Sequence, residues 1–182
     1  ETALQPIRDK LLVVNASSER NQPYYSKLIP HIPYLNTPTE TSIVWATHKD
    51  QMRRQFSAYC PDLTPKSIKV EKTVSDDSIK DIVKELAFPL ITKQAGLALS
   101  ILVRKAENIN ELLRNIKESR AVIEDIYKKN RGRGEPNILI EEFISGQMYS
   151  VDAYVNDKGD TFNLPPVKVT IAASIGLEGY YS

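Results

Sequence analysis

Phe88-Pro89-Leu90-Ile91-Thr92-Lys93 and Ile138-Leu139-Ile140-Glu141-Glu142-Phe143-Ile144 are the two segments whose reading decides the fold. The first is a short apolar run that ends on a lysine. The second runs apolar into two adjacent carboxylates. Runs of this length, bounded by polar residues, read as buried strands. Between them Asn108, with Glu111 three residues later as cap partner, opens a helix to about Lys129. Ile109, Leu112, Leu113, Ile116, Ile123, Ile126 and Tyr127 supply its buried stripe.

Working outward, Gln94 to Ser100 is a short loop of small residues, followed by an expected strand over Leu99 to Arg104. Beyond the second segment come a Ser145-Gly146 turn, an alternating strand from Tyr149 to Val155 and an Asn156-Asp157-Lys158-Gly159 turn. A last strand is expected from about Val167 to Ala173. Upstream, Ser67 to Lys72 alternates like an edge strand. Asp76-Asp77-Ser78 offers caps for a helix burying Ile79, Ile82, Val83 and Leu86, ended by Pro89.

Earlier still, Lys10 to Asn15 reads as a buried strand, and Ser42 to Trp45 as another. The stretch between them, with Pro23, Pro30, Pro33 and Pro38, reads as irregular. Thr47-His48-Lys49-Asp50 has the form of a capping box that opens a helix through about Tyr59, burying Met52 and Phe56. Strands and helices in this order predict an α+β fold rather than a repeating βαβ sheet.

Composition narrows the class. At 182 residues, with 41% hydrophobic and 26% charged content, the chain is long enough for a real core. A net charge of +1 gives no global field toward nucleic acid or an anionic membrane. No apolar run approaches a membrane span. The single Cys60 excludes an intramolecular disulfide and reads as a small residue at a helix end rather than a nucleophile. His31 and His48 are isolated and do not suggest a metal. Arg131 and Arg133 sit in a glycine turn without aromatic neighbours to stack bases, so they read as a solvated loop.

The order of these signals resembles the ATP-grasp superfamily over roughly Ile43 to Ala173. Phe88 to Lys93 is similar to that family's strand ending in a phosphate-reaching lysine. Leu139 to Gly146 is similar to its hinge pattern of apolar-apolar-Glu-Glu-aromatic-apolar-x-Gly. Lys49 before Met52-Arg53-Arg54 looks like the family's first lysine and its following helix. The resemblance implies ATP-grasp-like nucleotide-binding subdomains over residues 47–182, incomplete at the C-terminus. Residues 1–46 would be the remnant of a preceding α/β domain, and the chain a fragment of a longer protein.

By the same resemblance, Lys49 and Lys93 hold phosphates and Ser100 lies in the covering loop. Glu141 and the backbone of Glu142 and Ile144 hold adenine. Met148 stands where many members carry a glutamate for the ribose, and the covering loop holds a single glycine, Gly96. Both are departures from the family pattern. The implied cofactors are ATP and Mg2+, with the metal ligands outside this segment. The implied parent activity is ATP-dependent ligation of an unknown carboxylate to an amine or similar nucleophile through an acyl-phosphate. ATP use and the lone cysteine point to the cytoplasm. Two other readings stay open: a nucleotide-binding or regulatory module without catalysis, and an α+β interaction domain without nucleotide.

Overall fold

A computed structural model describes residues 5–98, 100–130, 132 and 134–170. The chain divides into two compact units, Glu1–Phe143 and Ile144–Ser182. The first unit holds β1 (Ser67–Val70), β2 (Leu90–Gln94), β3 (Arg104–Ala106) and β4 (Ile138–Glu142). They form one antiparallel sheet in the order β1-β4-β2-β3. Among the described residues five α-helices accompany it: α1 (Gln22–Leu28), α2 (Glu40–Thr47), α3 (Lys49–Tyr59), α4 (Asp76–Ile82) and α5 (Ile109–Asn130).

Strand alternation sends neighbouring side chains to opposite faces of the sheet. Val70, Leu90, Ala106, Ile138 and Ile140 point into the core, where Ile79 and Val83 from the α4 segment and Leu112, Ile116, Ile123 and Tyr127 of α5 meet them. Truncating a fully buried residue such as Ile116 to alanine costs about 2–5 kcal/mol. The opposite face carries Lys69 on β1, Leu139 and Glu141 on β4, and Ile91 and Lys93 on β2, in register. Helix α3 meets this face through polar contacts, described below.

Several local expectations hold. Asn108 Oδ1 accepts from the Glu111 N–H at 3.1 Å while Glu111 Oε2 accepts from the Glu107 N–H at 2.9 Å, which fixes the start of α5. Ser67–Val70 is an edge strand. Asn156 Oδ1 accepts from the N–H groups of Lys158 and Asp160, both at 2.9 Å, and builds the expected turn.

Other expectations are corrected. Lys10 to Asn15 forms no strand: Leu12 and Val13 are 91% and 66% exposed, because no sheet edge receives that run. Ser42 to Trp45 lies inside α2, which Thr39 caps by accepting from the Ser42 N–H at 3.1 Å. That cap outweighs the β-branched composition. Thr47 ends α2 instead of opening α3, since its hydroxyl donates back to the Ile43 carbonyl at 2.7 Å. His48 is the N-cap residue of α3, which buries neither Met52 nor Phe56.

Ser75, not the acids after it, caps α4, accepting from the Ser78 N–H at 3.2 Å. Ile82 is 38% exposed because the chain tightens into a 3-10 turn over Val83–Glu85. Gln94 belongs to β2 rather than the loop. The strand expected over Leu99 to Arg104 starts only at Arg104: Ser100 and Leu102 have φ of 53° and 57°, which no strand accepts. Leu99, Arg131, Arg133 and residues 171–173 lie outside the described residues.

The second unit holds β5 (Tyr149–Ser150), β6 (Ala153–Val155), β7 (Thr161–Asn163) and β8 (Val167–Lys168). The single strand expected from Tyr149 to Val155 is therefore two, because its halves pair with different partners, β5 with β8 and β6 with β7. The β7 strand had no sequence expectation. Among the described residues no helix is long and apolar enough to cross a membrane.

Candidate functional site

Three charged side chains converge on the α3 side of the sheet. Glu141 sits on β4 and is 2% exposed. From α3, Arg53 donates to both of its oxygens, Nε to Oε1 at 2.8 Å and a terminal nitrogen to Oε2 at 3.1 Å. From β2, Lys93 Nζ reaches Oε2 at 2.6 Å. The register explains the meeting. Lys93 opposes Leu139 and Ile91 opposes Glu141, so Lys93 and Glu141 are diagonal neighbours on one face.

Glu141 thus has two cations, and the trio carries a net positive charge in a largely buried place. Burial pushes the Lys93 ammonium below the usual lysine range; the Glu141 carboxylate works against this and the Arg53 charge adds to it. On the same side, Asp50 of α3 faces Lys69 of β1 at 3.8 Å.

The loop after β2 is held from two sides. The Lys49 backbone N–H donates to the Ala95 carbonyl at 3.0 Å, and its ammonium donates to the Leu97 carbonyl. The Gly96 N–H donates to the Tyr127 hydroxyl at 3.0 Å, and burial holds that phenol above the ordinary tyrosine range. Ala95, Gly96 and Leu97 are buried. Beside this loop, the Gln94 amide and His48 Nδ1 are buried without a hydrogen-bond partner among the described residues. Groups in that condition are usually matched by water or a ligand.

The residues expected from sequence fall as follows. Lys93 and Glu141 are in direct contact, and Lys49 joins the same unit through the loop. Ser100 takes a left-handed turn position two residues beyond Ala98. Glu142 points elsewhere: its carboxylate accepts from the Ala87 N–H at 3.0 Å, and its own N–H donates to the Lys66 carbonyl at 3.1 Å. Ile144 and Met148, 68% and 43% exposed, belong to the second unit. Sequence reasoning gave no site role to Arg53, Gln94 or Tyr127. One signal was there for Arg53, which lies four residues after Lys49 and so on the same helix face.

Against this geometry, comparison with known proteins shows what the chain is similar to. Residues 86–170 match the family model of the ATP-grasp domain. The fold is similar to the L-amino acid ligase from Bacillus licheniformis, with a TM-score of 0.65 at 16% identity, over 92% of this chain and 38% of that one. It is similar to the D-alanine–D-alanine ligase from Helicobacter pylori, with a TM-score of 0.58 at 16% identity, over 82% of this chain and 41% of that one.

A third similar structure is the biotin carboxylase domain of the Hydrogenobacter thermophilus 2-oxoglutarate carboxylase, in complex with MgADP, ADP and bicarbonate. Its TM-score is 0.62 at 15% identity, over 93% of this chain and 38% of that one. The chain spans about two fifths of the length of these three structures. No curated protein matches the sequence. The ATP-grasp match lies on residues 86–170, and the fold similarity extends over most of the chain's length.

Proposed function

We propose that this chain is the nucleotide-binding part of an ATP-dependent ligase that joins a carboxylate to an amine or similar nucleophile through an acyl-phosphate. The observation that carries this reading is the buried trio of Arg53, Glu141 and Lys93, whose net positive charge suits an anion such as a phosphate. Lys93 and Lys49 hold phosphates. Ser100 lies in the loop over them. Glu141 and the backbone of Glu142 and Ile144 hold adenine, and Met148 stands near the ribose.

The acyl-phosphate chemistry asks for positioning and charge neutralisation more than for a side-chain base. Magnesium, bound together with such a nucleotide, would supply neutralisation of the phosphate charge. Among the described residues no three of His, Cys, Asp and Glu gather to hold a metal ion, so no step is assigned to metal ligands here. Residues 1–46 are assigned to a preceding α/β domain and residues 47–182 to the nucleotide-binding region. The protein is assigned to the cytoplasm, where ATP is supplied.

A second reading is a nucleotide-binding or regulatory module without catalysis. Met148 favours it, since a thioether is a weak acceptor for ribose hydroxyls. Titrating ATP–magnesium into the protein and its Lys93→Ala variant, followed by thermal unfolding, tests the nucleotide site that both readings share. Saturation a hundredfold over the dissociation constant adds about 2.7 kcal/mol to the stability of a folded-state binder. A midpoint that rises in the wild type and not in the variant supports nucleotide at Lys93. No rise in either favours an interaction domain without nucleotide.

A further inference from the structure

Glu141 is the most buried carboxylate in the site, yet it holds two cations where one would satisfy its charge. The two are not equivalent. Arg53 engages both oxygens with the planar fork of its guanidinium, at 2.8 and 3.1 Å. Such paired donation is the strongest arrangement a carboxylate can accept. Lys93 makes a single contact, at 2.6 Å, to an oxygen that Arg53 already serves.

Resting on the nucleotide-binding reading above, we propose that Arg53 is the standing counter-ion of Glu141, and that it thereby keeps the charge of Lys93 available to an anionic phosphate ligand. Arg53 is a positioning residue in this scheme and does not itself touch the ligand. The physical reason is charge conservation within a small buried volume. A buried carboxylate left without a partner is strongly unfavourable. If Lys93 were its only cation, the ammonium would be committed to Glu141 and the pair would be neutral. With Arg53 present, Glu141 stays neutralised whether or not Lys93 also turns toward a ligand, and one positive charge remains uncompensated. The lysine has three donors and needs only one for Glu141. Neighbouring charges do not supply this role. Asp50 and Lys69 face each other on the same side of the sheet, and Lys49 is tied to the Leu97 carbonyl.

The test is a double-mutant cycle in ATP–magnesium affinity, using wild type, Arg53→Ala, Glu141→Gln and the double variant. The cycle reports coupling only between residues that act through one another. Arg53→Ala is expected to weaken binding about tenfold or more, the equivalent of one buried charge contact. In the Glu141→Gln background the same replacement is expected to have a much smaller effect, because no carboxylate remains to capture Lys93. Equal losses in both backgrounds would make Arg53 a direct ligand of the anion and overturn the proposal. Unchanged affinity in Arg53→Ala would overturn it too.

A second measurement does not depend on nucleotide. Lysine-labelled protein followed by NMR reports the Lys93 ammonium titration directly. Removing Arg53 takes away a repelling cation and gives Lys93 sole possession of Glu141, so its titration is expected to move to higher pH. No movement, or movement to lower pH, refutes the counter-ion role. If the wild type binds no ATP, the functional reading fails while this arm still decides the role of Arg53. Should Arg53→Ala not fold, Arg53→Gln keeps much of the side-chain volume without the charge and carries both measurements.

Discussion

The Tyr127 hydroxyl accepts a hydrogen bond from the Gly96 backbone N–H at 3.0 Å, across 31 residues of sequence and in a buried setting. It joins the C-terminal part of the longest helix to the loop that follows the lysine-bearing strand. Because Lys49 holds the carbonyls on either side of Gly96, three successive residues of this loop are fixed by side chains or backbone from two different helices. The loop expected to cover phosphates is therefore anchored by aromatic and lysine contacts, with only one glycine of its own.

Replacing Tyr127 with phenylalanine keeps the ring and removes the acceptor. The Gly96 N–H is then buried without a partner, at a cost of about 1–3 kcal/mol. Urea denaturation is expected to show that loss in the midpoint with little change in slope. A variant as stable as the wild type would mean that the hydroxyl does not hold this loop.

Gly132 follows α5 where the chain folds back on Tyr127; its N–H donates to the Tyr127 carbonyl at 2.8 Å. A Cβ there would lie 2.3 to 2.8 Å from three ring atoms of Tyr127. Since the ring is buried and cannot swing away freely, Gly132→Ala is expected to destabilise by about 1–3 kcal/mol through overpacking. Combining it with Tyr127→Ala, which opens the space, should remove most of that penalty when the two are compared by thermal unfolding.

Lys93 predicts a pH dependence. Its ammonium is held below the usual value chiefly by burial, so between its folded value and about 10.5 the unfolded chain binds more protons. Stability contributed by this group therefore rises with pH across that window. Compared with Lys93→Met, the wild type is expected to gain stability as pH climbs toward about 10.5 and then to level off. Tyr127, raised in both proteins, cancels from the difference. A difference that stays flat or falls through this range would contradict the burial account.

Asn108 and Glu111 close the start of α5 by reciprocal bonds. Asn108→Ala removes the side-chain acceptor for the Glu111 N–H and is expected to cost about 0.5–2 kcal/mol. Hydrogen exchange should show the loss concentrated in the first turn of the helix. Uniformly faster exchange along α5 would instead place the cap's contribution in the global core.

What the sequence by itself determined is what local chemistry can express. The α5 stripe, its Asn108–Glu111 cap, the apolar strand ending at Lys93 and the Asn156 turn all depend on residues within a few positions of one another. So does the order of motifs that resembled the ATP-grasp family, which lysine, hinge and spacing carry without any knowledge of pairing. Ser42 to Trp45 shows the limit. Its β-branched composition favours a strand, but no sheet edge was waiting there, and the Thr39 cap turned it into helix.

Tertiary structure alone decided which charges meet. Arg53 and Glu141 are 88 residues apart, and their contact exists because β2 pairs with β4 in a register that sets Lys93 diagonal to Glu141 while α3 lies on the same face. A shift of one residue in that register would turn Glu141 into the core and Ile140 toward the lysine. Such a choice is made by the summed burial of the Ile138, Ile140 and Leu90 side chains against α4 and α5. That is a many-body preference, and no window of sequence contains it.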